Sequence, residues 1–200
     1  LASQEEQHAL ELVVRVYDTV AELEELEPAP SRKDPAALEV FLGTLDAYVK
    51  AGYPGGREGW EGAQALADGL RDRAEAWGLR ASDRDWVDLE RANLRIFLCR
   101  TEEAEAILDA ALVAPSNPQR TFQLAQANAQ LKALRRSPDV ERCLEIARVA
   151  LEQVTLPAEH RDLEAQWHSA FALALNMRGL PDRVQPHLTR EFELAREILA

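Results

Sequence analysis

An all-α fold is what this sequence predicts, and three observations carry that reading. Apolar residues recur at steps of three and four through most of the chain, the spacing of one helix face. Prolines at 115, 118, 138, 157 and 181 sit at the joints between these runs, where proline opens a helix or follows its end. No alternating β-branched run of strand length interrupts them.

Taken in order, Leu10, Val13, Tyr17, Val20 and Leu23 form the stripe of an amphipathic helix over 3–26, which EPAPSRKDP ends. A second helix is expected over 36–51 and a third over 60–77. The fourth opens after Ser82 or Asp83, either of which has the side chain of an N-cap. Helices over 102–113, 118–135, 139–154, 158–178 and 182–199 follow, about nine in all. The stretch AGYPGGREGWEG, Ala51 to Gly62, holds five of the nine glycines. It contains neither G-x-G-x-x-G nor a Walker sequence, and it follows a helix rather than a strand. Gly52 suits a helix C-cap and Tyr53-Pro54-Gly55 a turn, so the stretch is read as a corner and not a phosphate cradle.

A chain of 200 residues, 46% hydrophobic and 29% charged, can bury a sizeable core in one domain or a short array. Lysine and arginine total 23 against 35 aspartates and glutamates, a net charge of -12, which repels nucleic acid and anionic membranes. Residues 1–30 alone carry eight acidic residues against Arg15. No apolar run approaches the ~20 residues of a membrane span, and the acidic first segment lacks a signal peptide's basic start. These features predict a cytosolic protein, and the Ala, Leu, Arg and Glu usage is compatible with a bacterial source. Cys99 and Cys143, each within helix-like apolar sequence, are expected as reduced core thiols. The chain starts at Leu1 and stops within the periodic EFELAREILA, and it is read as part of a longer protein.

The second half contains a repeat. LERANLRIFL (89–98) and LAQANAQLKAL (124–134) share Leu-x-x-Ala-Asn-x-x-Ile/Leu at a separation of 35 residues, a period typical of helical hairpin arrays. Each precedes a second helix of matching pattern, with Ala104, Leu108, Ala111 and Leu112 in one and Cys143, Ala147, Ala150 and Leu151 in the other. A third unit carries His168, Phe171, Ala172 and Leu175, then Gly179, then Val184, Leu188 and Phe192.

This pattern resembles the tetratricopeptide repeat family. The family's small first-helix residue falls at Asn93, Asn128 and Ala172, its packing residue at Ile96, Leu131 and Leu175, and its second-helix small residue at Ala104, Cys143 and Val184. Two asparagines, and Glu191 where a small residue is usual, depart from the family pattern. The resemblance implies a right-handed α-solenoid of antiparallel hairpins, because one hairpin cannot cover its own apolar stripe and neighbours must stack. It divides a single domain, 1–200, into a capping helix (1–30), a degenerate hairpin (36–78) and units at 82–114, 118–155 and 158–199.

In that family the first helix of each hairpin lines a concave groove that takes a partner segment. Carried over by position, the groove-facing residues are Val87, Glu90, Leu94 and Phe97, then Phe122, Ala125, Ala129 and Lys132, then Gln166, Ser169, Leu173 and Asn176. Phe97 and Phe122 are the expected aromatic anchors, weighed against burial in the core. Only Lys132 and Asn176 resemble the family's carboxylate clamp, so no clamp is expected.

Catalytic and metal chemistry find little support. Glu5-x-x-His8 lacks the second E-x-x-H and the further carboxylates of a di-iron bundle. His160, Glu164 and His168 step by four along one helix, too long a span for one ion. The expected function is therefore a non-enzymatic interaction scaffold without cofactor. Its partner is a protein, a peptide or another domain of the same chain, and a homodimer stays open. The alternative is a regulatory or sensor module of a bacterial signalling protein or transcription regulator that takes a small molecule, with Trp60, Trp77, Trp86 and Trp167 as pocket walls.

Overall fold

A computed structural model describes residues 57, 59–72, 74–75, 78–155 and 157–199. Among them the chain is all-α: seven α-helices and one short 3-10 helix, in place of the nine or so expected. The expected helices at 3–26 and 36–51 lie outside the described residues. The helices are α1 (59–72), α2 (Ala81–Phe97), α3 (Thr101–Ala111), α4 (Pro118–Leu134), α5 (Val140–Leu151), α6 (Pro157–Met177) and α7 (Gln185–Leu199), with the 3-10 helix at Pro181–Arg183. They fall into two compact units divided between Arg100 and Thr101. Within the units they pack as sequential pairs, and no described helix is long and apolar enough to cross a membrane.

In the first unit α1 and α2 bury Ala63, Ala67, Leu70, Val87, Ala92 and Leu94 completely or nearly so. Gly59 and Gly62, from the glycine-dense stretch, are helical and not part of a turn. The start of α2 differs from expectation. It begins at Ala81 after an extended Arg80 that gives no side-chain cap, and Asp83 lies inside the first turn, held by Arg80 at 2.8 and 3.1 Å. A charged lattice ties the two helices together. Arg95 Nη2 donates to both oxygens of Asp68 (2.9 and 3.1 Å), Arg91 bridges Asp68 and Asp88 at 2.7 Å each, and Arg71 Nε reaches both oxygens of Asp88 at 3.0 Å. Burial pushes the Asp68 carboxyl up, but the hydrogen bonds and charges of Arg95 and Arg91 outweigh it and hold the group below its ordinary value of 3.8.

The second unit is built around α4. Asn117 caps it, its side chain accepting from the Arg120 amide at 2.9 Å, with Pro118 in the first turn where no amide is missed. Helices α3, α5 and α6 all pack on α4. Ala133 shares a cluster with Val140, Cys143, Leu144, Ala170 and Ala174, while Phe122 shares another with Ala147, Leu151 and Leu163, so α4 and α5 run antiparallel. The alanines let helix axes approach closely. Cys143 lies in this core, where burial raises its thiol pKa. Cys99 differs from expectation: it is exposed, because it sits past the end of α2 and off that helix's apolar stripe.

Three helix ends and the turn at Gly78 close in one way. At Gly78, Cys99, Arg136 and Gly179 the backbone turns left-handed (φ +67°, +59°, +55° and +71°). In each, the next amide bonds the carbonyl five residues back: Leu79 to Ala74, Arg100 to Arg95, Ser137 to Lys132 and Leu180 to Leu175, at 2.7 to 3.0 Å. Three of these follow the helices α2, α4 and α6. Only glycine adopts this conformation without steric cost.

Two outcomes follow. Asp68→Asn should cost about 2 kcal/mol near neutral pH, measured by denaturant unfolding. Because the folded pKa is depressed, this contribution is complete above the unfolded value of 3.8 and is lost as pH falls through the lower folded value, so the two proteins converge in acid. Arg136→Gly should raise stability by roughly 0.5–1 kcal/mol, read as a higher thermal midpoint with an unchanged helical spectrum.

Candidate functional site

The residues expected to line a groove divide sharply. Val87 and Leu94 are fully buried within the first unit, as are Phe122, Ala125 and Ala129 in the second. Glu90 is half-buried, and so is Phe97, which stacks on Trp60 at 5.5 Å. Lys132 is buried against α3, its ammonium 2.7 Å from Glu105 and 3.5 Å from Asp109, with Arg135 bonded to the same Glu105. Phe122, the second aromatic anchor, is thus a core residue, and Lys132 is an interhelical tie. By contrast Ser169, Leu173 and Asn176 are exposed and Gln166 half-exposed, sharing one face of α6 as their spacing requires.

The open face of α4 is one residue further along than expected. Gln119, Gln123, Gln126 and Gln130 recur at steps of four, three and four and are all partly exposed, whereas Phe122, Ala125 and Ala129 beside them point inward. A shift of one position rotates a helix by about 100°. The glutamine face joins the open face of α6 directly, since Gln126 Nε2 donates to the Gln166 carbonyl at 3.2 Å. Gln123 accepts from Arg120 at 2.6 Å and Gln166 donates to Asp162 at 2.9 Å, while Gln119 and Gln130 have no side-chain partner among the described residues. The result is a polar surface of carboxamides with Ser169, Leu173 and Asn176 alongside.

A second feature lies between α5 and α6. A cleft of about 400 Å³ is lined by Val140, Leu144, Trp167, Phe171 and Ala174 and rimmed by Arg148, Arg178 and Arg183 with Glu141 and Glu145. Of the tryptophans expected as pocket walls, Trp167 lines this cleft, and Trp77 lies outside the described residues. Its indole nitrogen donates to the Leu144 carbonyl at 3.2 Å, which fixes the ring. Behind it, Phe171 stacks on His187 at 4.4 Å, and the Nδ1 atoms of His168 and His187 lie 3.0 Å apart. Burial and the neighbouring His187 push the pKa of His168 down; burial and Arg183 do the same for His187.

The run His160, Glu164, His168 does not converge. Glu164 lies 4.0 Å from His160 Nδ1 and is bonded by Arg190, and His168 turns instead to His187. Among the described residues no three or more His, Cys, Asp or Glu side chains are placed to hold a metal ion. Arg57 pairs with Glu61 at 2.9 Å, and Glu5 and His8 lie outside the described residues. On α7, Leu188 and Phe192 are exposed, the latter by 75%, because Leu194 is the side chain that α7 buries. Sequence reasoning missed the glutamine face and the cleft's arginine rim. The glutamine spacing was visible, but nothing in α4 marked that face as the outer one.

The chain matches no protein-family model, no curated protein and no solved structure. What is established is an all-helical protein whose described helices pack as sequential pairs.

The histidine pair makes a pH-dependent contribution. Both folded pKa values lie below the ordinary 6.5, so stability is lost as pH falls from there through the folded values, with Glu164, Arg190 and Glu191 around His168 and Arg183 beside His187. Replacing His187 by Gln should flatten the fall in thermal midpoint between pH 7.5 and 5.5 against the unaltered chain.

Proposed function

We propose that this chain is a tetratricopeptide-like interaction module that binds an extended polypeptide along the joined open faces of α4 and α6. The observation that carries this reading is the carboxamide row, Gln119, Gln123, Gln126 and Gln130, set beside Gln166, Ser169 and Asn176 by the Gln126–Gln166 bond. Each carboxamide offers a donor and an acceptor, the pair of groups that a peptide unit needs. Leu173, 39% exposed, supplies an apolar contact within that polar surface. The net charge of -12 favours a neutral or basic partner segment over an acidic one. The groove of this reading is the glutamine face; Phe122 and Lys132 support it from inside.

The small-molecule reading, a regulatory module, is favoured by a separate observation: the aromatic cleft between α5 and α6.

Affinity capture tests the first reading, comparing the chain with a Gln130→Ala, Ser169→Arg variant whose changes fall on partly or fully exposed positions. A partner retained by the chain and weakened ~tenfold or more in the variant supports the α4–α6 face. Equal retention by both sinks it.

A further inference from the structure

The three arginines at the mouth of the α5–α6 cleft are not equivalent. Arg178 Nη1 is bonded to Glu141 at 2.5 Å, and Arg148 is bonded to Glu145 at 2.6 Å and also to Glu152. Arg183, exposed on the 3-10 helix, has no carboxylate partner among the described residues. The rim therefore carries one uncompensated cation in a chain of net charge -12.

Beneath that cation the floor is apolar and fixed. The single polar atom of the Trp167 indole is engaged with the Leu144 carbonyl, so the ring offers only carbon surface to the cleft. Phe171 lies 5.0 Å from Trp167 and is backed by His187. Val140, Leu144 and Ala174 complete the lining. A volume of about 400 Å³ lies within the range of small-ligand sites, roughly 300–1,000 Å³. Flat aromatic walls favour a flat aromatic guest, and one free guanidinium matches one carboxylate. With Arg148 and Arg178 held by their own glutamates, the rim offers no second free cation to a second negative charge, which disfavours phosphates and dicarboxylates.

From this geometry we infer that the cleft binds a small planar aromatic monocarboxylate, its ring against Trp167 and Phe171 and its carboxylate on Arg183. This assignment rests on the small-molecule reading of the cleft and names its ligand class. It uses a surface apart from the glutamine face, so peptide capture and ligand binding are separable.

The test uses indole-3-acetate as probe and its neutral amide, indole-3-acetamide, as control. Both are titrated into the chain and into Arg183→Gln, with binding followed by calorimetry and by the Trp167 indole N–H resonance. Arg183 is exposed and makes no ion pair among the described residues, so the variant keeps its fold, checked by an unchanged thermal midpoint. The acid should bind saturably and ~tenfold more tightly than the amide, and in Arg183→Gln that difference should vanish. Bound carboxylate also offsets the positive charge that Arg183 exerts on His187, so the His187 pKa should rise on saturation with the acid and stay put with the amide. Equal affinity for acid and amide, or an Arg183→Gln variant that still prefers the acid, would overturn the carboxylate assignment while leaving the cleft a small-molecule site. No saturable change with either probe overturns both.

Discussion

The burial of α4 on three sides is the constraint on which the second unit depends. Its alanines, Ala125, Ala129 and Ala133, have no exposed surface to speak of, and they allow α5 and α6 to pack close on one side. On the other side two polar ties join it to α3. Asn128 donates to Asp109 at 2.7 Å and Lys132 to Glu105 at 2.7 Å. Burial opposes the Lys132 charge, but Glu105 and Asp109 more than restore it, and its pKa stays above the ordinary value. With those sides taken, the sector that carries the glutamines is the one left to solvent. The surface chemistry of α4 is thus a consequence of what its neighbours cover.

Helix α6 then serves two purposes at once. Its outward residues, Gln166, Ser169, Leu173 and Asn176, extend the glutamine face of α4. Trp167 and Phe171, about 100° or more around the same helix, wall the cleft toward α5. A rigid helix held between α4 and α7 keeps both surfaces in fixed register, and the Schellman closure at Gly179 places the 3-10 helix, and so Arg183, at the mouth of the cleft. The first unit uses a different device. Two carboxylates shared among three guanidiniums fix how α1 lies on α2, and removing either carboxylate leaves guanidiniums without their partner.

Much of the helical layout was legible from local pattern. Helices α3 to α7 begin and end within three residues of the positions that periodicity and proline placement predict. The misplaced features have identifiable causes. Ser82 and Asp83 looked like caps, yet Asp83 is worth more as the partner of Arg80 one turn into the helix. The last helix was read as one piece over 182–199, whereas Pro181 to Arg183 forms a 3-10 turn before α7 starts at Gln185. Cys99 sat in apolar sequence but occupies a turn.

By itself the sequence determined the all-α class and the order of the described helices. These depend on residues within one or two helical turns of each other. Which face of α4 meets solvent, which rim arginine lacks a counter-ion among the described residues and that Trp167 walls a cleft were decided only by the tertiary structure. A helix with small and apolar residues on most of its circumference carries no direction of its own. Charge pairing joins residues 17 to 37 positions apart, as in Arg71–Asp88 and Arg178–Glu141, and no periodicity announces such partners.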